Sequence, residues 1–298
     1  MEIRHLRYFV AVAEQGSFTR AALALHVSQP TLSQQIRDLE RELGVTLLSR
    51  GPGGVRPSRA GEVYYERIRL VLAAVDDAAR AARRAADGPA RLSVGIGVPL
   101  PRDVHLPVLS AFAAAHPEVR VAWRELTITD FDTPLTSGEV DVALIRMPLD
   151  PERLVWEPLL AEPRGLAVPP GHRLHGRDGA TLADVIEEPL PHVAPAVPDG
   201  MRRWWQMYAQ RNGEAPEFVG EPVSSPYEIF TSVVLHHVVC PGPFAFRTTP
   251  LPAGVRILPL TGLPGALVVA ARRREDHREL PAAFCALAAE LARGLTAH

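Results

Sequence analysis

Ser28-Gln29-Pro30-Thr31-Leu32-Ser33-Gln34-Gln35-Ile36-Arg37-Asp38-Leu39-Glu40-Arg41-Glu42-Leu43-Gly44 decides how the first third of this chain is read. Ser28 is a good N-cap, and Pro30 falls in the first helical turn, where a missing N–H costs little. Gly44 stands where a left-handed C-cap belongs. Leu32, Ile36, Leu39 and Leu43 form one apolar stripe at helical spacing. The opposite face carries Pro30, Gln34, Arg37 and Arg41, flanked by Thr31, Ser33 and Asp38. A solvated surface helix has this pattern. A helix that reads DNA has it too, because Ser, Thr, Gln and Arg reach base edges and phosphates.

The surrounding sequence favours the second reading. Residues 3–13 form an amphipathic helix with Ile3, Leu6, Phe9, Val10 and Ala13 on one face. Gly16 ends it, and Ser17 caps a second short helix from Phe18 to about Leu25. His26 and Val27 make a tight turn into the third helix. Two short helices so joined match a helix-turn-helix, whose second member enters the major groove. Val45–Leu48 reads as a brief strand. Arg50-Gly51-Pro52-Gly53-Gly54-Val55-Arg56 then reads as a glycine-rich hairpin tip, a wing whose Arg50 would meet phosphates. In the long Ala/Arg helix over 59–86, Ile68, Leu72, Val75, Ala79, Ala82 and Ala86 follow coiled-coil seam spacing. A dimerisation helix is preferred to a buried intrachain one, because such heads generally read two half-sites as a dimer. Asp87-Gly88-Pro89 ends the helix and marks the main domain boundary.

Beyond it the pattern changes to alternating strands and helices. Strands are expected at 92–98, 119–126 and 140–146, with a helix at 102–115 and a short one ending at Gly138. This βαβαβ order predicts a mostly parallel sheet. The second half repeats it with strands at 166–168, 192–194, 218–223, 255–260 and 266–271. Its helices are expected at 182–187, 201–210, 226–237 and 281–295. Two similar α/β lobes predict a hinged body with a cleft, and ligands of such sheets bind beyond the C-terminal strand ends.

Composition sets bounds. A chain of 298 residues, 47 % hydrophobic, builds two or three folded domains rather than a disordered protein. All 32 basic residues are Arg, which reads as coding bias. Residues 1–87 hold 13 Arg against 10 acids and the remainder 19 against 24, a mildly basic head on a mildly acidic body. No apolar run reaches the ~18 residues of a membrane span, and no signal-peptide pattern is read, so a cytoplasmic protein without membrane contact is expected. Cys240 and Cys285 are far apart in sequence and read as buried reduced thiols. An enzyme reading finds little. Gly95-x-Gly97 follows a strand, but the third glycine position of a dinucleotide fingerprint is Leu100. His172-x-x-His175 sits in a loop without a third metal ligand, and no nucleophile elbow is present. No metal, cofactor or catalytic residue is expected.

The residues from Leu6 to Ala22, with Ser28–Val45, Leu47-Leu48-Ser49-Arg50 and Ser58-Arg59-Ala60-Gly61, resemble the DNA-binding head of LysR-type regulators over about sixty residues. Arg91–Arg146 is similar to the family's effector domain, including Phe112…His116-Pro117 and Gly138-Glu139-Val140-Asp141-Val142-Ala143. The resemblance implies a multidomain α+β and α/β chain with three parts. These are a winged helix-turn-helix at 1–58, a linker helix at 59–88 and a periplasmic-binding-protein-like effector domain at 89–298. Its subdomain I would take about 91–161 and 266–298, and subdomain II about 162–265.

The implied DNA contacts are Gln29, Pro30, Thr31, Ser33, Gln34, Arg37, Arg50 and Ser58. The implied effector positions are Pro99, Leu100, Arg102, Thr127, Thr129, Arg146, Ala196, Ser224 and Ser225. Relatives often place Ser or Thr where this chain has Pro99-Leu100-Pro101, so an effector-independent regulator stands as the alternative. Arg146 and Arg102 are candidate carboxylate anchors, a structural ion pair at the strand end being the other reading for Arg146. The implied partners are double-stranded DNA bearing an interrupted inverted repeat, a small organic anion, RNA polymerase, and further copies of the chain in a homodimer or homotetramer.

Overall fold

The computed structural model describes residues 2–51, 54–86, 90–97, 99–100 and 102–295. The chain divides into two compact units, Met1–Asp87 and Gly88–His298.

The first unit opens with α1 (Ile3–Gln15), α2 (Phe18–Ala24) and α3 (Gln29–Leu43). Their starts and stops follow the local chemistry. Ser17 Oγ accepts from the Arg20 N–H, Ser28 Oγ from that of Thr31, and Gly16 and Gly44 end their helices at φ 58° and 69°. Leu32, Ile36 and Leu39 of α3 pack with Phe9, Val12, Ala21 and Ala22 into one core. The wing is an antiparallel hairpin, β1 (Leu48–Gly51) with β2 (Gly54–Pro57), in the register Leu48↔Pro57 to Gly51↔Gly54.

The strand expected at Val45–Leu48 therefore begins only at its last residue, and Val45 is exposed. The cause is Glu40, whose Oε1 accepts from the N–H groups of Leu47 and Leu48 at 2.7 and 3.0 Å. One carboxylate thus fastens the end of α3 to the root of the wing. The helix α4 (Arg59–Ala86) follows, and Ser58 caps its start by accepting from the Gly61 N–H at 3.0 Å. Gly61 is required there, since a Cβ would run into the Leu47 carbonyl. Of the expected seam on α4, Ile68 is buried, Leu72 and Val75 are half-buried and Ala79 is exposed. The side chains of Ala82 and Ala86 lie outside the described residues.

The second unit begins with β3 (Arg91–Gly97), α5 (Arg102–Ala115), β4 (Arg120–Leu126), α6 (Thr133–Thr136) and β5 (Val142–Arg146). β6 (Leu154–Glu162), β7 (Arg164–Val168), β8 (Ala180–Thr181), α7 (Leu182–Val185), β9 (Leu190–Val193) and α8 (Asp199–Trp205) come next. The chain closes with β10 (Phe218–Val223), α9 (Pro226–Leu235), β11 (Cys240–Pro243), β12 (Arg256–Thr261), β13 (Ala266–Arg273) and α10 (Glu279–Leu295). One sheet has the order β4-β3-β5-β13-β6, a second β11-β7-β12-β8, and β9 pairs with β10.

The mostly parallel sheet holds only for β3, β4 and β5. β13 returns from the far end of the chain and lies antiparallel between β5 and β6. β6 was not expected at all. Its sequence does not alternate and contains Pro158, and the ladder slips beside it, with Val268 opposite Leu160 but Val269 opposite Pro158. β8 and β11 are equally short of strand signal, the latter being Cys-Pro-Gly-Pro. The helix expected over 201–210 stops at Trp205, because Met207 turns left-handed at φ 57° before a 3-10 turn at Tyr208–Arg211. The helix expected to reach His237 stops at Leu235, with His237 itself at φ 55°.

Two cores fill the body around the first sheet. On one side α5 and α10 cover it, with Phe112 and Phe284 in edge-to-face contact at 5.2 Å. On the other, Leu126, Ile145 and Val269 meet Ala167, Met201, Trp205, Phe230 and Phe246 from the second sheet and its helices. The chain passes between the sheets at Glu162-Pro163-Arg164 and returns between β12 and β13. Gly95 and Gly97 have a packing role, since a Cβ at Gly95 would strike Leu126 at 2.6 Å and one at Gly97 would press Ile145 at 3.0 Å.

Glu40→Ala removes both charge-assisted bonds to the wing root. It is expected to lower the stability of the N-terminal unit by about 2 kcal/mol, read as a lower melting temperature. DNA affinity should fall with it, although Glu40 faces the wing root and not the exposed side of α3.

Candidate functional site

Two sites stand out, one in each unit. The first is the outer face of α3. Gln29, Pro30, Thr31, Gln34 and Arg37 are exposed along it. Ser33, expected beside them, is buried at 6 % exposure, and its Oγ receives Arg37 Nη1 at 3.1 Å. Arg37 Nη2 donates to Gln34 Oε1 at 2.7 Å, Gln34 Nε2 to Asp38 Oδ1 at 2.9 Å, and Arg41 Nη1 to the same oxygen at 2.9 Å. The face is a chain of polar side chains at i, i+3 and i, i+4 spacing, each holding the next in place. Such exposed contacts add little stability. They order long side chains that would otherwise lose their freedom on docking. Thr31 Oγ1 lies 2.7 Å from Ser28 Oγ at the helix cap. Ser58 is half-buried and donates to the Thr46 carbonyl at 2.6 Å, which ties it to its own chain. Arg50 is on β1 opposite Val55, and its side chain lies outside the described residues.

The second site is a small cavity of about 40 Å3 inside the C-terminal unit. It opens beyond the C-terminal ends of β3, β4 and β5, where ligands of α/β sheets bind. Gly97, Pro99, Leu126, Thr127, Ile128, Phe131 and Arg146 line it from the first sheet. Met201, Trp204 and Trp205 of α8, with Pro243 and Phe246, close it from the other side. Of the nine expected effector positions, the structure brings Pro99, Thr127 and Arg146 to this cavity. Leu100 packs instead into the core with Val94, Val104 and Val108. Thr129 is a neighbour of Thr127, at 2.9 Å between hydroxyls, but is not on the wall. Ala196 is exposed, Ser225 caps α9 by accepting from the Glu228 N–H, and Ser224 donates to the Glu228 carboxylate. These three do not reach the cavity. The Arg102 side chain lies outside the described residues.

Arg146, a candidate carboxylate anchor, is in the strand-end ion pair. It is 7 % exposed, and its Nε and Nη2 both donate to Glu162 Oε2 at 2.8 and 2.5 Å. The other Glu162 oxygen accepts from the Ala245 N–H at 2.7 Å. Burial lowers the Arg146 pKa and the Glu162 charge acts to raise it. Sequence reading missed the aromatic wall, which comes from α8 and from the 3-10 turn holding Phe246. Trp204-Trp205 was its one visible signal. Both cysteines are buried and free, and burial pushes each thiol up to about 12. Among the described residues no His, Cys, Asp or Glu cluster suits a metal ion, and no helix is long and apolar enough to cross a membrane.

A winged helix-turn-helix in one unit and a small cavity at parallel strand ends in the other fit a DNA-binding regulator with an effector-binding domain. The comparisons give its family. The model of the bacterial regulatory helix-turn-helix protein, lysR family, matches residues 3–62, and that of the LysR substrate binding domain matches residues 85–293. The chain belongs to the LysR family of transcriptional regulators. It is 37 % identical over 233 residues to the HTH-type transcriptional regulator YnfL of Escherichia coli, covering 74 % of this chain and 78 % of that one. It is 32 % identical over 222 residues to AlsR of Bacillus subtilis, 74 % of each. Full-length BenM has the same fold at TM-score 0.52 and 25 % identity, over 100 % of this chain and 97 % of that one. CbnR shares the fold at TM-score 0.57 and 24 % identity, over 98 % and 99 %.

Glu162→Gln keeps an acceptor for Ala245 but leaves Arg146 charged and unpaired. A loss of about 3–5 kcal/mol is expected in denaturant unfolding of the C-terminal unit. Arg146→Met added to Glu162→Gln should return much of it. Equal losses in the single and double variants would show that the pair is not coupled.

Proposed function

We propose that this chain binds an interrupted inverted repeat in double-stranded DNA as a homodimer or homotetramer, and that a small organic anion in the cavity between the sheets sets its DNA-binding geometry. The observation that carries the DNA half is the α3 face. Gln34 and Arg37 stand exposed and mutually ordered, while the opposite stripe of the same helix is buried. Gln29, Pro30, Thr31, Gln34 and Arg37 are the direct contacts in this reading, with Arg50 on the wing. Ser33 acts by positioning Arg37, and Ser58 by holding the wing to α4. The effector half is supported by the cavity at the strand ends and by the match to the family's substrate-binding domain. The apolar face of α4 after Ile68 supplies the dimer seam, and the proposed parts run 1–58, 59–88 and 89–298. The relatives matched are transcriptional regulators, which supports a role without turnover, in the cytoplasm with RNA polymerase as a further partner.

Effector binding switches the protein only to the extent that it favours one geometry over the other. Footprinting of the full chain on its own upstream DNA at several salt concentrations tests the DNA half. The expected result is a protected interrupted inverted repeat whose affinity falls steeply with salt. Arg37→Ala should lose about 1–3 kcal/mol of affinity. Unchanged affinity in that variant would remove α3 as the reading helix.

A further inference from the structure

Asp38 is an acid on the polar face of α3, and we infer that it is a positioning residue that fixes the Gln34 amide for reading one base pair of each half-site. This deepens the reading of α3 as the DNA-reading helix and rests on it. A carboxylate on a face that meets phosphates works against binding. Glu40 of the same helix avoids this by turning to the wing root, where it serves Leu47 and Leu48. Asp38 stays on the polar face, one turn after Gln34, with its side chain 35 % exposed. Its bonds show what it does there.

Asp38 Oδ1 accepts from Gln34 Nε2 at 2.9 Å and from Arg41 Nη1 at 2.9 Å. At the other end of the same amide, Gln34 Oε1 accepts from Arg37 Nη2 at 2.7 Å. A carboxylate only accepts and a guanidinium only donates. The amide therefore cannot turn over without setting its oxygen against Asp38 and its nitrogen against Arg37. Arg37 alone would leave it free to pivot about a single bond. Beyond these bonds the amide nitrogen keeps one N–H and the oxygen one lone pair. Glutamine reads adenine with that pair of groups, accepting from N6 and donating to N7. The order of donor and acceptor along the amide then decides which way round an A·T pair is accepted.

The second bond to Asp38 has a separate effect. Arg41 is exposed, and Asp38 draws its guanidinium back along the helix. A cation held this way is less available to phosphates. Asp38 thus weakens the grip on any duplex while sharpening the reading of one base pair, so its two effects move affinity and specificity in opposite directions.

The test uses the full chain. A motif is first selected from a random duplex library. The selected duplex, its single-base variants and an unrelated duplex are then titrated in competition at several salt concentrations. Asp38→Ala is expected to lose preference roughly tenfold at one base pair of each half-site. It should bind the unrelated duplex more tightly, with a salt slope steeper by about one per subunit. Gln34→Ala should lose preference at the same base pair, and Asp38→Ala added to it should change nothing further there. Asp38→Asn still offers an oxygen to the Gln34 amide and should keep most of the preference, which a purely electrostatic role would not allow. Preference unchanged at every position in Asp38→Ala overturns the inference while leaving α3 as the reading helix. So does an even loss across the half-site, the mark of a disturbed helix, or an Asp38→Asn variant that loses as much as Asp38→Ala. A wild type that selects no motif overturns both this inference and the reading beneath it.

Discussion

The insertion of β13 between β5 and β6 is the constraint on which the body depends. A strand that begins at Ala266 must find partners at Val142–Arg146 and Leu154–Glu162, more than a hundred residues earlier. The strands of the second sheet lie between them in the chain, which therefore crosses twice. The core between the sheets draws on both, with Ala271 and Val269 in one cluster with Ala167 and Phe246. Long-range pairings of this kind slow folding.

The cavity follows from those crossings. β3, β4 and β5 run parallel, so their C-terminal ends lie together and leave a mouth. The crossing at Glu162-Pro163-Arg164 places Glu162 against Arg146, which lines that mouth, and α8 supplies the aromatic wall opposite. Glu162 settles the charge of Arg146, the cation on that wall.

The head was legible in the sequence almost residue by residue. Its signals are local: Ser17 and Ser28 as caps, Gly16 and Gly44 as left-handed stops, and a stripe at Leu32, Ile36 and Leu39 that depends only on helical period. What the sequence did not reveal was the long-range tie from Glu40 to Leu47 and Leu48, which delays the start of the wing strand. The burial of Ser33 also depends on packing against neighbouring helices. In the body, β3 to β5 and the helices α5 and α10 were visible because they are apolar or amphipathic along their length. β6, β8 and β11 were not, since a proline, a two-residue ladder and a Cys-Pro-Gly-Pro run carry no strand period. The effector positions suffered most. Leu100, Ser224 and Ser225 stand near strand ends but turn to the core or to a helix cap, and strand-end position alone does not say which way a side chain faces.

The central claim is sequence-specific reading of paired half-sites by the pre-ordered polar face of α3. Selection of bound duplexes from a random DNA library by the full chain tests that claim most directly. The account predicts enrichment of an inverted repeat whose half-sites lie about 10 base pairs or a multiple of that apart. A pool with no enriched motif, or with one unpaired half-site, would contradict it.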